Sequence, residues 1–178
     1  MNFKRIELGL FDLLIDVGPI VNEIAGKEAV DEKRAFAITK ARDKLLTFVK
    51  NFLIQFFYVG YGFLMRGFHP DTITGLQKFF QPTARPDTTD KLIVDRQLVP
   101  SKMIEALVEY VEIEKDAMGD PYTREVRHLR KLYCEFLPRL FDAFREDGSG
   151  TIDNYSAILE KINQALTDIQ AVCSRSVS

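Results

Sequence analysis

Apolar residues recur along most of the chain at alternating steps of three and four. Phe3, Ile6, Leu10, Leu13, Val17, Ile20 and Ile24 form the first such row. A mean step of 3.5 keeps one seam turned toward a partner helix and predicts coiled-coil-like packing at about +20°. Gly18 and Pro19 interrupt this row. Proline lacks an N–H and clashes with the preceding turn, so a kink is expected between Asp16 and Pro19. Gly26 is the expected stop.

A second helix is expected from near Ala29 toward Arg66. Ile38, Ala41, Leu45, Phe48, Phe52, Phe56, Val59 and Phe63 form one stripe, with Leu46, Val49, Leu53, Phe57 and Leu64 beside it. A helix apolar on two sides is packed from two sides, which predicts that this element is central. Unbroken, it would be roughly 55 Å long at 1.5 Å per residue, so an overhang or a break near Gly60 and Gly62 is expected.

Pro70 and Asp71 open a short amphipathic segment ending near Phe80. Gln81 to Pro100 reads as a loop, with Pro82, Pro86 and Pro100 and an apolar Leu92-Ile93-Val94 inside it. At roughly 20 residues it exceeds the usual connection. Ser101 starts a fourth helix, with Ile104, Leu107, Val108, Val111 and Met118 expected to face inward. Met118 to Pro121 is a turn, and Pro121 suits the first position of the fifth helix. That helix carries Val126, Leu129, Tyr133, Phe136, Leu140 and Phe144, with Pro138 as a kink. Asp153 or Asn154 caps the last helix, whose seam is Tyr155, Leu159, Ile162, Leu166, Ile169 and Cys173. The tail 174–178 is expected to fray.

The expected architecture is therefore all-α, one domain over residues 1–178. Its core is four-helix-bundle-like, made of long antiparallel helices: the first, second, fifth and sixth. The fourth packs alongside, and the 81–100 loop drapes over one end.

Composition narrows the function classes. With 46% hydrophobic and 28% charged residues, the chain does not resemble a disordered one. Twenty-four basic against 26 acidic residues give a formal charge of -2, which supplies no field for a phosphate backbone, and DNA is not an expected partner. Cys134 and Cys173 lie on neighbouring predicted helices, so a bridge is conceivable; the expectation is buried free thiols in a reducing cytosol. Lys4 and Arg5 precede an apolar stretch as in a signal peptide, but Glu7, Asp12 and Asp16 interrupt it. The expected location is cytoplasmic.

Charge also suggests one pairing. Glu105, Glu109, Glu112 and Asp116 share one face of the fourth helix, and Arg124, Arg127, Arg130 and Lys131 lie on the fifth. A tight turn makes the two antiparallel, so these faces should meet and set register.

Candidate binding residues come from aromatic content. Residues 51–65 carry six aromatics and no charge. A membrane span needs about 20 apolar residues, and Asn51, Gln55, Gly60 and Gly62 lie within this stretch, so membrane association is not expected. Phe56, Tyr58, Tyr61 and Phe63 are the candidate partner- or ligand-binding face, because tyrosines add a polar handle and the glycines allow close approach. Leu92, Ile93 and Val94 join them as the apolar part of the loop.

Two local patterns resemble known families. Phe141 and Phe144, then Asp147, Ser149, Gly150, Ile152 and Asp153, resemble the start of an EF-hand. Arg145 stands at the first ligand position and Ser156 at the twelfth, which removes the strongest carboxylates, so the stretch is read as a corner. Arg124 and His128 resemble the Arg–His pair of HEPN-type ribonucleases, which are also helical, at a shorter spacing. That resemblance would imply RNA cleavage with both residues acting on the phosphate.

GxGxxG, P-loop, HExxH and GxSxG motifs are absent, as are paired ExxH motifs, and no cofactor or metal site is expected. The leading expectation is a non-enzymatic helical interaction or regulatory module that binds a protein partner, or a second copy of itself, through the aromatic face or the 81–100 loop. The alternatives are a binder of a hydrophobic small molecule in an aromatic-lined pocket, and a HEPN-like ribonuclease.

Overall fold

The computed structural model describes residues 3–24, 32–57, 69–72, 74, 95, 97, 101–147 and 155–177. These are about 92% helical and contain no strand, so the protein is all-α. The segments are α1 (Phe3–Asp12), π1 (Leu13–Val17), α2 (Gly18–Glu23), α3 (Glu32–Phe57), α4 (Ser101–Lys115), α5 (Pro121–Lys131), π2 (Leu132–Phe136), α6 (Leu137–Asp147) and α7 (Tyr155–Val177). The ends expected at Gly26, Ala29 and Arg66, and the loop apart from Asp95 and Gln97, lie outside the described residues.

Both proline kinks take one form. Pro19 and Pro138 each follow a π segment by two residues. In an α-helix Pro19 would face the carbonyl of Ile15, and Pro138 that of Cys134, with no N–H to offer and a ring in the way. Widening the turn to i→i+5 relieves that conflict. The wider turn also moves the seam. Ile6, Leu10, Leu13 and Val17 are buried as expected, but Val21, not Ile20, carries the row on to Ile24. The two widened turns meet through Gly18, where a Cβ would sit 2.9 Å from Tyr133 Oη. Only a residue without one allows that approach.

Between α4 and α5, Asp116 Oδ1 accepts from the Met118 N–H at 3.1 Å, and Gly119 takes φ +87°. Asp120 then caps α5, accepting from the N–H groups of Tyr122 and Thr123 at 3.1 Å each, with Pro121 next, as the sequence predicts.

Ion pairs fix the directions. Arg34–Glu23 and Lys44–Asp16 run α3 antiparallel to α1–α2. Asp116–Arg127 and Glu109–Arg139 run α4 antiparallel to α5–α6; of the expected pairing of acidic and basic faces, Asp116–Arg127 forms, while Glu109 pairs further along with Arg139. By contrast α3 is parallel to α5–α6: Thr39 meets Glu125 at one end and Phe52 meets Phe141 at the other. A bundle of purely antiparallel neighbours contains no such pair, so that part of the expectation is corrected.

The central element is also corrected. The run α5–π2–α6 packs against α3, α4 and α7, and buries Leu129, Leu132, Tyr133, Phe136, Leu137, Leu140, Phe141 and Phe144 completely. Meanwhile α3 keeps a solvent face with Phe36, Lys40, Thr47 and Lys50. On α4 the buried set is Met103, Ile104, Ala106, Leu107, Tyr110, Val111 and Ile113; Val108 and Met118, expected inside, are 39% and 77% exposed. On α7, Ile158, Ile162, Ala165, Leu166 and Ile169 are buried, and the helix continues to Val177.

Cys134 of π2 and Cys173 of α7 are disulfide-bonded across a Cα–Cα distance of 5.7 Å. The free-thiol expectation is therefore overturned. Heptad spacing on α7 turned Cys173 toward π2, and the widened turn presents Cys134 opposite it.

Candidate functional site

Of the residues expected to bind a partner, Tyr58, Tyr61, Phe63, Leu92, Ile93 and Val94 lie outside the described residues. Phe56 is helical in its backbone, and its side chain also lies outside them. The stretch 148–154 of the EF-hand-like corner does so too; before it, Asp142 and Arg145 pair at 3.2 Å on α6.

One surface was missed from the sequence. Leu8, Phe11 and Ile15 are 59%, 59% and 51% exposed. Their spacing of i, i+3 and i+7 puts them in one row on the face of α1–π1 opposite the buried seam. The signal was present in the chain: once Ile6, Leu10 and Leu13 are assigned inward, Leu8, Phe11 and Ile15 remain as a second row. Acidic and basic residues flank it. Lys4 lies before it, and Asp12 and Asp16 lie beside it. Asp16 is taken by Lys44 at 2.6 Å and Glu7 by Lys161 at 3.6 Å, whereas Asp12 and Lys4 have no ion-pair partner among the described residues.

A second feature is a charged junction inside the protein, where the N-terminal half of α3, the end of α4 and the start of α5 meet. Arg42 Nη2 contacts Glu114 Oε2 at 2.6 Å, with the side chains only 12% and 2% exposed. The other oxygen, Glu114 Oε1, is buried with no partner among the described residues, as is Arg124 Nε. Tyr110, one turn before Glu114, is fully buried; burial, then the Glu114 charge, pushes its phenol well above the usual range. His128 Nε2 donates to the carbonyl of Asp116 at 2.8 Å, which places a hydrogen on Nε2. Burial pulls the His128 imidazole below 6.5, against the opposing pull of Glu114. Desolvation likewise raises Asp43, despite Arg42 beside it. Asp116 is held low by hydrogen bonds from Arg127 and the Met118 N–H.

This junction holds an imidazole, carboxylates and guanidinium groups, the parts of an acid–base site. Its geometry does not use them so. His128 is 7% exposed and its Nε2 is engaged by the Asp116 carbonyl. Arg124 is half-buried, one turn away.

Two shallow clefts lie along α4 and α6. One, about 270 Å³, is lined by Lys102, Glu105, Arg139 and Asp142; the other, about 230 Å³, by Ser101, Ile104, Glu105 and Val108. Among the described residues, neither has an aromatic wall. The described residues contain no cluster of His, Cys, Asp or Glu that could hold a metal, and no helix long and apolar enough to cross a membrane. Comparison with protein-family models, curated proteins and solved structures returns no match.

Proposed function

We propose that this chain is a non-enzymatic helical interaction module that engages a protein partner through the outer face of α1. The observation that carries this reading is the row Leu8, Phe11 and Ile15, each more than half exposed on one helix face. Scattered apolar residues on a surface are ordinary. A row at i, i+3 and i+7 is what an amphipathic helix presents to a groove or to another helix. The aromatic face of Phe56, Tyr58, Tyr61 and Phe63 and the loop residues Leu92, Ile93 and Val94 belong to the same proposal as further contact surface, on sequence pattern alone.

The proposed frame is the bundle-like core of one domain, with α1–α2, α3, α5–α6 and α7 around a common interior and α4 alongside. The shared cluster of buried residues from all of these supports it. A cytoplasmic setting is part of the proposal too, and the Cys134–Cys173 bond stands against it, because such bonds persist mainly in oxidising compartments. No observation favours the small-molecule or ribonuclease alternatives.

A photo-crosslinking amino acid placed at position 11 in the expressing cell tests the reading. Protein adducts are expected there and not at Lys50, an exposed site on α3. Adducts at Lys50 but none at position 11 would remove α1 as the docking face.

A further inference from the structure

We infer that the occupant of the α1 face is a second copy of this chain, docked antiparallel so that α1 packs on α1. The inference deepens the reading above and rests on it.

Charge order along α1 selects the second copy as the occupant. Lys4 in the first turn and Asp12 two turns later are exposed along the apolar row and have no ion-pair partner among the described residues, whereas Glu7 and Asp16 are already held by Lys161 and Lys44. A helix that is basic at one end and acidic at the other complements itself only when a copy runs the opposite way. A two-fold axis gives that arrangement, since the same patch then serves both partners. With the axis midway between Leu8 and Phe11, each Leu8 meets the second copy's Phe11. Each Ile15 then covers the aliphatic stem of the second copy's Lys4, whose ammonium reaches Asp12.

Other occupants fit less well. An anionic membrane surface would accept Leu8, Phe11, Ile15 and the basic turn, but Glu7, Asp12 and Asp16 border the same row and are repelled by it. An unrelated amphipathic helix would need this charge order reversed. The second copy has it by construction of the symmetry.

Three exposed side chains supply the centre of an interface smaller than the standard roughly 800 Å² per partner, so reversible dimerisation at about 10–100 μM is expected. Sedimentation equilibrium of the full chain reads it directly. Phe11→Glu should weaken association by at least about tenfold, because it buries a charge at the centre. Lys4→Glu and Asp12→Lys should each weaken it, and the double variant should recover a substantial part, since two swapped charges restore complementarity. Far-ultraviolet circular dichroism of every variant separates loss of pairing from loss of fold.

A wild-type chain that stays monomeric at about 1 mM overturns the inference, as does a dimer indifferent to Phe11→Glu. A double variant weaker than both single ones overturns the antiparallel order. Monomeric behaviour together with Phe11 crosslinks to another protein would sink the second copy while leaving the interaction reading standing. Monomeric behaviour with co-flotation on phosphatidylserine vesicles, lost in Phe11→Glu, would transfer the face to a membrane.

Discussion

The parallel pair formed by α3 and α5–α6 has two unlike ends. At one, Phe48, Phe52, Phe141 and Phe144 interlock, with Phe52 and Phe141 ring centroids 5.6 Å apart and near edge-to-face. At the other, Arg42, Glu114, Tyr110 and His128 share a largely buried space. The aromatic end gains from area and ring geometry, and nothing in it depends on alignment to a fraction of an ångström. The charged end gains little net free energy. Desolvating Arg42 and Glu114 offsets most of their attraction, and Glu114 Oε1 lacks a partner among the described residues. What the charged end contributes is uniqueness: only one register of α3 against α4 and α5 brings the guanidinium to the carboxylate. One end drives collapse, and the other selects which collapsed form persists.

The largest expected effect tests the aromatic end. Phe141→Ala removes a fully buried ring in contact with Phe48 and Phe52, and should cost about 4 kcal/mol. Urea unfolding monitored by circular dichroism measures it. A cost below about 1 kcal/mol would mean that the cluster can repack, and that the two ends differ less than argued.

The charged end is broken next. Glu114→Ala strands Arg42 in a buried site and should cost about 3 kcal/mol. The sharper measurement is Arg42→Met with Glu114→Met, which removes both charges while keeping volume. It should fall within about 1 kcal/mol of the parent, with broader amide signals in the NMR spectrum of α4 if the pair sets register. Full loss of stability in the double variant would show that the pair is a net stabiliser after all.

The sequence disclosed these two ends unequally. The aromatic end was legible because Phe48, Phe52 and Phe144 fall on seams at helical spacing, and period alone places them inside. The charged end was not. Arg42 and Glu114 belong to no apolar row or motif in the sequence, and His128 stands out only beside Arg124, because their burial comes from a third helix crossing each pair, and hydrophobic periodicity reports one helix at a time. The same blindness assigned Val108 and Met118 inward. The kinks at Pro19 and Pro138 were legible as positions, while the π turns that realise them were not, so the seam was carried to Ile20 rather than Val21. Leu8, Phe11 and Ile15 went unnoticed for a different reason: the inward row had already explained the helix.

The Cys134–Cys173 bond belongs to neither end and serves as a control for both. It closes a loop of 39 residues, so Cys134→Ser with Cys173→Ser should lower stability by about 4 kcal/mol through the unfolded chain. Because that effect acts on the unfolded state, the costs of Phe141→Ala and Glu114→Ala should be the same in the reduced background. A disulfide-free variant in which only the charged end loses its cost would instead tie register to the bond.

The smallest expected effect is a pH dependence confined to the charged end. His128 sits in the folded protein with its imidazole pulled below 6.5 by burial, facing Glu114 and Asp116, which favour its charge, and Arg42, which opposes it. Below pH 6.5 the unfolded chain therefore binds a proton that the folded chain resists. Unfolding is favoured by acid, and the stability contributed by neutral His128 is fully present above 6.5 and lost as the pH falls toward the lowered value. His128→Gln retains an N–H donor for the Asp116 carbonyl but cannot titrate, so its urea midpoint should fall less than the parent's between about pH 7 and pH 5.5. Phe141→Ala should leave that slope unchanged, since the aromatic end has no proton to exchange. Parallel slopes for the parent and His128→Gln would mean that the junction admits enough water to solvate the imidazolium. Water would then reach the charged end of the pair while the aromatic end stays closed to it.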